Sequence, residues 1–252
     1  FWLKFCPTNA AMTLAPGCVA LSSPEGQQRL AEAVGLGRGL LEVYAPQKYG
    51  NSCSLASVAM VVRSLAPRKG TDLGRLNDDW AFAVAVEALP SLSLDLLRGA
   101  AHRDYIRGTL ETLATDPGST RSWLPLVMDI RNVATTLAKA TEAAKAPAAV
   151  EYIHCAGGDP QVVMEEFRQD VVRMEAVIAQ FDRAALQQRG GGHYSPVAAL
   201  HRGSDSVLLL DTGGSNGCYW VPVSLLVAGM MTRTATFGNS RGWAVVLPSD
   251  RS

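Results

Sequence analysis

Residues 47–65 read QKYGNSCSLASVAMVVRSL. After the cysteine, Leu55, Val58, Ala59, Val62 and Leu65 recur at helical spacing, so Ser54–Leu65 reads as a largely buried helix. Pro67-Arg68-Lys69-Gly70 ends it. Cys53 therefore stands where the first turn begins. A helix N-terminus carries partial positive charge and favours the thiolate, the reactive form of cysteine. A free cysteine in such a place is also an ordinary small core residue, so Cys53 decides nothing until it has partners. Gln47, six residues earlier, carries an amide that could donate to the oxyanion formed when a thiolate attacks a carbonyl.

Working outward, two further residues complete a set. His193 lies in Gly190-Gly191-Gly192-His193-Tyr194-Ser195-Pro196. Glycines ahead of a histidine let backbone and substrate approach closely, and the strand after it would hold the ring on a rigid element. Asp211 closes the apolar run Val207-Leu208-Leu209-Leu210. A carboxylate at the end of a buried strand needs a partner. A hydrogen bond to the second nitrogen of His193 would supply one and fix the tautomer. Each residue has a plainer reading: a strand-start histidine, a turn aspartate before Thr212-Gly213-Gly214, a solvated loop glutamine. The joint occurrence of a nucleophile, a base, an orienting carboxylate and an oxyanion donor points to acyl transfer through a thioester.

The rest of the chain sets the frame. At 252 residues it can bury a sizeable core in one large domain, with 48% apolar and 18% charged residues. The 23 basic residues balance the 23 acidic ones, and no Lys/Arg-dense stretch suggests a nucleic-acid partner. No apolar run approaches the ~20 residues that span a bilayer. Cys6, Cys18, Cys53, Cys155 and Cys218 are scattered and form no CxxC pair, which argues against a disulfide framework and for a reducing, cytoplasmic setting. His154-Cys155 is the one adjacent soft-ligand pair, and two ligands do not make a metal site. The chain starts at Phe1 and reads as a fragment. Residues 1–21 read as an N-terminal extension, with Phe1–Val19 a candidate targeting remnant.

Coarse periodicity gives helices early and an antiparallel sheet late, hence an α+β fold. Ser22-Ser23-Pro24-Glu25 opens a helix through Gln28–Val34. Leu40–Tyr44 reads as extended. Helix-like segments follow near 72–89, 92–113 and 126–145, and Ala138–Ala149 reads as a helix or a tether. Glu151–Cys155 is a strand and Pro160–Glu175 an amphipathic helix. Ala176–Phe181, Ser195–Leu200, Val207–Asp211, Tyr219–Pro222 and Gly242–Leu247 are short apolar strands, with a helix over Ser224–Met231.

The segments QKYGNSCSLASVAMVVRSL, AVIAQFDRAALQQRGGGHYSPVAAL, LLLDT, YWVPVSLL and RGWAVV together resemble the phytochelatin synthase family. The resemblance covers roughly residues 22–66 and 157–248. It includes the Gln–Cys offset, the His–Asp offset and the GGH-x-SP motif. It implies a papain-like cysteine peptidase fold over 22–248, with an insertion around 90–150, and activity on glutathione and γ-Glu-Cys peptides. By that resemblance Cys53 is the nucleophile, His193 the general base and acid, Asp211 the residue orienting the imidazole, and Gln47 part of the oxyanion hole. Arg183 would pair with a glutathione carboxylate and Gly192 would border the substrate. Cadmium or zinc would act as activator or through metal thiolates of the substrate, without a cofactor held by the protein. A homodimer is compatible with this reading.

Two features depart from the family pattern. Cys53 is followed by Ser54 where the family has glycine, and Gly213–Cys218 replaces a basic, Tyr/Pro-rich stretch. Two other outcomes therefore stand beside a transpeptidase: a glutathione hydrolase, in which water takes the acyl group, and an inactive module that binds thiol peptides.

Overall fold

The computed structural model describes residues 14–35, 39–48, 52–88, 128–155, 157–213, 217–234 and 238–248. Within these residues a seven-stranded sheet, antiparallel throughout, runs in the order β1-β6-β5-β4-β3-β7-β2. The strands are β1 (Val19–Ala20), β2 (Val150–His154), β3 (Ala176–Asp182), β4 (Gly192–His201), β5 (Ser206–Leu210), β6 (Cys218–Pro222) and β7 (Gly242–Val246). The helices are α1 (Pro24–Glu32), α2 (Cys53–Leu65), α3 (Asp78–Ala88), α4 (Ile130–Ala143), α5 (Pro160–Arg173) and α6 (Val223–Met230).

The central strands are apolar almost without a break because the sheet is covered on both faces. Along β3, Ala176 and Ile178 join one core with α2, α3 and α4, while Val177, Ala179 and Phe181 join another with α5 and α6. This is the period-two alternation of a strand expressed between two hydrophobic layers. The two tryptophans on strands serve one layer each. Trp220 packs with α2 and donates Nε1–H to Gly26 O (2.9 Å), and Trp243 packs with α5 and donates to Asp170 Oδ2 (2.7 Å).

Local signals explain most helix starts. Ser23 caps α1 by accepting from Gly26 N, with Pro24 in the first turn. Asp159 caps α5 ahead of Pro160, and Asp129 caps α4. The α2 helix is the one packed deepest; Leu55 through Val62 are all buried.

The α+β expectation is borne out, with helices early and an antiparallel sheet late. Leu40–Tyr44 is not extended; it forms turns that carry Leu40 and Tyr44 into the core. The short strand β1, which periodicity over two residues cannot reveal, adds the edge next to β6. Of the stretch 90–150, residues 89–127 lie outside the described residues, and so does the helix expected over 92–113. Residues 128–150 supply α4, whose buried face packs against α2, and lead into β2. Cys18, Cys53 and Cys155 are free thiols, whereas Cys218 is disulfide-bonded, a bond the scattered cysteines did not foretell. Among the described residues no helix is long and apolar enough to cross a membrane.

Candidate active site

Cys53 is the first residue of α2, half-buried, at the end of the helix that faces the sheet. His193 is the second residue of β4, paired with Phe181 of β3, and is 5% exposed. Asp211 follows β5, the neighbour of β4, and is fully buried. Adjacent strands thus carry base and carboxylate, and the buried helix brings the thiol up to them.

His193 Nε2 lies 2.8 Å from Asp211 Oδ1. With Nε2 engaged there, Nδ1 is the nitrogen left to share a proton with Cys53, to which His193 is hydrogen-bonded. Burial alone would push the Cys53 thiol up. The hydrogen bond and charge of His193 oppose it, joined by the backbone N–H groups of Tyr194 and Ser54, and the net direction is below the ordinary thiol value. Burial likewise lowers the imidazole, but the bonds to Asp211 and Cys53 raise it above its ordinary value. Both shifts favour one state, a thiolate beside an imidazolium. Asp211 would be raised by burial. The hydrogen bond and charge of His193, then those of Arg183, hold it well below the usual carboxylate range.

Arg183, buried just after β3, forms a fork on Asp211: Nη2 to Oδ1 at 2.8 Å and Nη1 to Oδ2 at 3.2 Å. Nη1 also reaches Gln188 Oε1 at 2.8 Å. Its Nη2 is equally close to His193 Nε2 (2.8 Å), but a nitrogen whose proton points at Asp211 has no lone pair to offer, so the bond is to the carboxylate. The guanidinium read from sequence as a partner for a substrate carboxylate is here bound to the orienting aspartate. Gly213 closes the corner. Its N–H donates to Asp211 Oδ1 (2.8 Å), and a Cβ there would crowd the Arg183 guanidinium off Asp211.

Gln47 reaches the same corner through its backbone, donating N–H to Thr212 O at 2.6 Å. That bond brings the backbone of Gln47 to the corner where Cys53, His193 and Asp211 meet. Gly192 opens β4, and a Cβ on it would meet the Arg241 guanidinium at 3.4 Å. Four residues went unnoticed in the sequence. Tyr44 donates its hydroxyl to Asp211 O (2.9 Å). Thr212 donates its hydroxyl to Tyr194 O (2.9 Å) and its N–H to Ser195 Oγ (3.4 Å). Arg241 pairs with Asp182 (3.3 Å), and Asp78 holds the Gln47 loop from α3. None had a local signal, because each acts on residues distant in sequence.

His154 and Cys155 do not converge. The His154 ring bonds Ser240 O through Nδ1 (2.7 Å), while the next side chain enters the α5 core. Among the described residues no group of three or more His, Cys, Asp or Glu could hold a metal ion.

A model of the phytochelatin synthase family matches residues 125–243, which include Arg183, His193 and Asp211. A glutathione gamma-glutamylcysteinyltransferase of Schizosaccharomyces pombe is 31% identical over 93 residues, 34% of this chain and 22% of that protein. Another, of Lotus japonicus, is 30% identical over 105 residues, 37% of this chain and 21% of that protein. A third, of Arabidopsis thaliana, is 25% identical over 248 residues, 93% of this chain and 46% of that protein. The chain thus spans under half the length of these relatives. The crystal structure of the Pseudomonas avirulence protein AvrPphB aligns over 82% of this chain and 97% of that one, at 14% identity and a TM-score of 0.37, too loose for any inference. The chain is thus similar to the phytochelatin synthase family, over residues 125–243 in the family model and over 93% of its length in the Arabidopsis thaliana relative.

Proposed function

We propose that this chain transfers a γ-glutamylcysteinyl group from glutathione to a second glutathione or a growing γ-Glu-Cys peptide. The observation that carries the reading is the hydrogen-bonded series Cys53–His193–Asp211, with the thiol lowered and the imidazole raised. The names of the relatives supply the substrate.

In this reading the Cys53 thiolate attacks the carbonyl of the Cys–Gly peptide bond. The oxyanion is met by the Gln47 amide and by N–H groups at the head of α2. The carbon–nitrogen bond breaks as His193 gives its proton to the leaving glycine amine, and a thioester remains on Cys53. The free amine of the acceptor then attacks the thioester while His193 takes back a proton. The thiolate leaves, and the product is (γ-Glu-Cys)n-Gly. Asp211 holds the imidazole in the tautomer that faces Cys53 and steadies its positive charge. Cadmium or zinc enters as a thiolate of the substrate.

The test is incubation with glutathione, with and without cadmium, followed by mass spectrometry. Oligomers of γ-Glu-Cys ending in glycine are expected. Free γ-Glu-Cys and glycine alone would make the protein a hydrolase, and unreacted glutathione would overturn the reading.

A further inference from the structure

Asp78 is the first residue of α3, yet it does not cap that helix. Asn77 does: its Oδ1 accepts from Asp79 N (3.0 Å) and Trp80 N (3.2 Å), and its carbonyl accepts from Ala81 N (2.9 Å). The Asp78 carboxylate, 6% exposed, turns instead toward the catalytic loop. A single oxygen, Oδ2, accepts from Lys48 N at 2.9 Å and from Ser52 Oγ at 2.5 Å. It thereby joins the residue after Gln47 to the residue before Cys53. Asp79 adds an outer strap to the Lys48 ammonium (2.6 Å), but that pair is half-exposed and weak.

The bond to Ser52 has a second consequence. Ser52 is the N-cap of α2, where a serine ordinarily turns its hydroxyl onto the N–H groups of the first turn. Here it makes no such bond, because the hydroxyl is given to Asp78. The first-turn amides of α2 are left to the site, and Ser54 N–H bonds the Cys53 sulfur. Hydrogen bonds to an ionised carboxylate are about twice as strong as neutral ones, so two of them on one buried oxygen make a stiff joint.

We propose that Asp78 is a positioning residue for acyl transfer. It fixes the Gln47 amide relative to Cys53 and keeps the Ser52 hydroxyl off the head of α2, so the oxyanion site is formed before substrate arrives. The inference rests on the roles given to Cys53 and Gln47 above, but not on glutathione as the substrate.

Two reagents separate this role from general support of the fold. p-Nitrophenyl acetate acylates a thiolate through a tetrahedral oxyanion, whereas iodoacetamide alkylates it by direct displacement with no oxyanion. Asp78→Ala should slow acylation about tenfold while alkylation of Cys53 stays within about twofold. Asp78→Asn, which keeps an acceptor oxygen, should recover most of the rate. In a Gln47→Ala background, Asp78→Ala should cost little more, since both act through one interaction. Effects that multiply fully, or an equal loss of alkylation, would overturn the proposal. Should Asp78→Ala fail to fold, Ser52→Ala carries the same test, with acylation about threefold slower and again non-additive with Gln47→Ala. This pattern with no turnover of glutathione would sink the substrate assignment and leave Asp78 standing. Turnover of glutathione without the pattern would do the reverse.

Discussion

The two halves of the active site are held in different ways. His193 and Asp211 sit on neighbouring strands at the middle of the sheet, tied by the ladder between β4 and β5 and locked further by Arg183, Gly213 and Thr212. Cys53 and Gln47 sit on a helix head and a loop. Their ties to the sheet corner include Tyr44 Oη to Asp211 O, Gln47 N to Thr212 O, and the thiol's own bond to His193. The proposed base and its orienting carboxylate are thus registered by strand pairing. The proposed nucleophile and oxyanion donor are registered by tertiary contacts, Asp78 among them. Changes on the sheet side should alter chemistry and stability together, and changes on the helix side that spare Cys53 should alter rate with little effect on the base.

The largest effect should come from the nucleophile. Cys53→Ser should lower glycine release from glutathione by at least about a thousandfold while the melting temperature changes little, because Cys53 is only half-buried. On the sheet side, Asp211→Asn should cost activity and stability at once. It removes the tautomer control of His193 and leaves the buried Arg183 guanidinium without its carboxylate. The expected losses are about a thousandfold in rate and about 3 to 5 kcal/mol, read from the denaturant midpoint. A variant that lost rate but kept its midpoint would show that the strand ladder, not the Arg183–Asp211 pair, holds the corner.

The pH dependence sharpens the same contrast. Cys53 is held below its ordinary value of 9.0 and His193 above its ordinary 6.5. Alkylation by iodoacetamide should therefore rise at lower pH than for a free thiol, and His193→Ala should move that rise upward. The stability terms have opposite signs. A histidine raised on folding adds stability that is complete below its unfolded value, about 6.5, and fades as pH climbs through the folded value. Asp211, lowered on folding, adds stability above its unfolded value of about 3.9 that fades as pH falls through the folded one. Removing Asp211 should accordingly flatten the acid limb of a stability profile and move the Cys53 limb of the alkylation profile upward, because the imidazolium that favours the thiolate loses its carboxylate.

The sheet half was also the more legible in sequence. Period-two apolar runs between turns predict β3 and β5 to β7 within a residue, whereas β4 starts at Gly192, three residues before the expected Ser195, and so takes in His193 itself. Helical spacing after Cys53 shows α2 equally well. What sequence could not convey was assembly. The guanidinium of Arg183 reads as a free cation until the fold turns it onto Asp211, and Tyr44 reads as part of an extended segment until its hydroxyl is found 2.9 Å from the Asp211 carbonyl. Asp78 falls inside the segment read as helix-like near 72–89, and only the structure shows it at the start of α3, bound to Lys48 N and Ser52 Oγ. Such contacts span tens of residues or more and leave no local periodicity.

Tyr44 gives the smallest and most discriminating prediction. Its hydroxyl bridges the two halves, and Tyr44→Phe deletes that bond without altering the ring that packs in the core. Loss of one buried hydrogen bond, with a carbonyl left unpaired, should cost about 1 to 2 kcal/mol of stability. If the halves are registered separately, acylation of Cys53 should slow about threefold, because the loop carrying Gln47 shifts against the corner. The titration of His193, followed by NMR of its ring, should not move, because β4, Asp211 and Arg183 hold the ring without Tyr44. A histidine that titrates differently in the Tyr44→Phe variant would mean that the loop helps to set the base, and that the site is one unit instead of two joined at a seam.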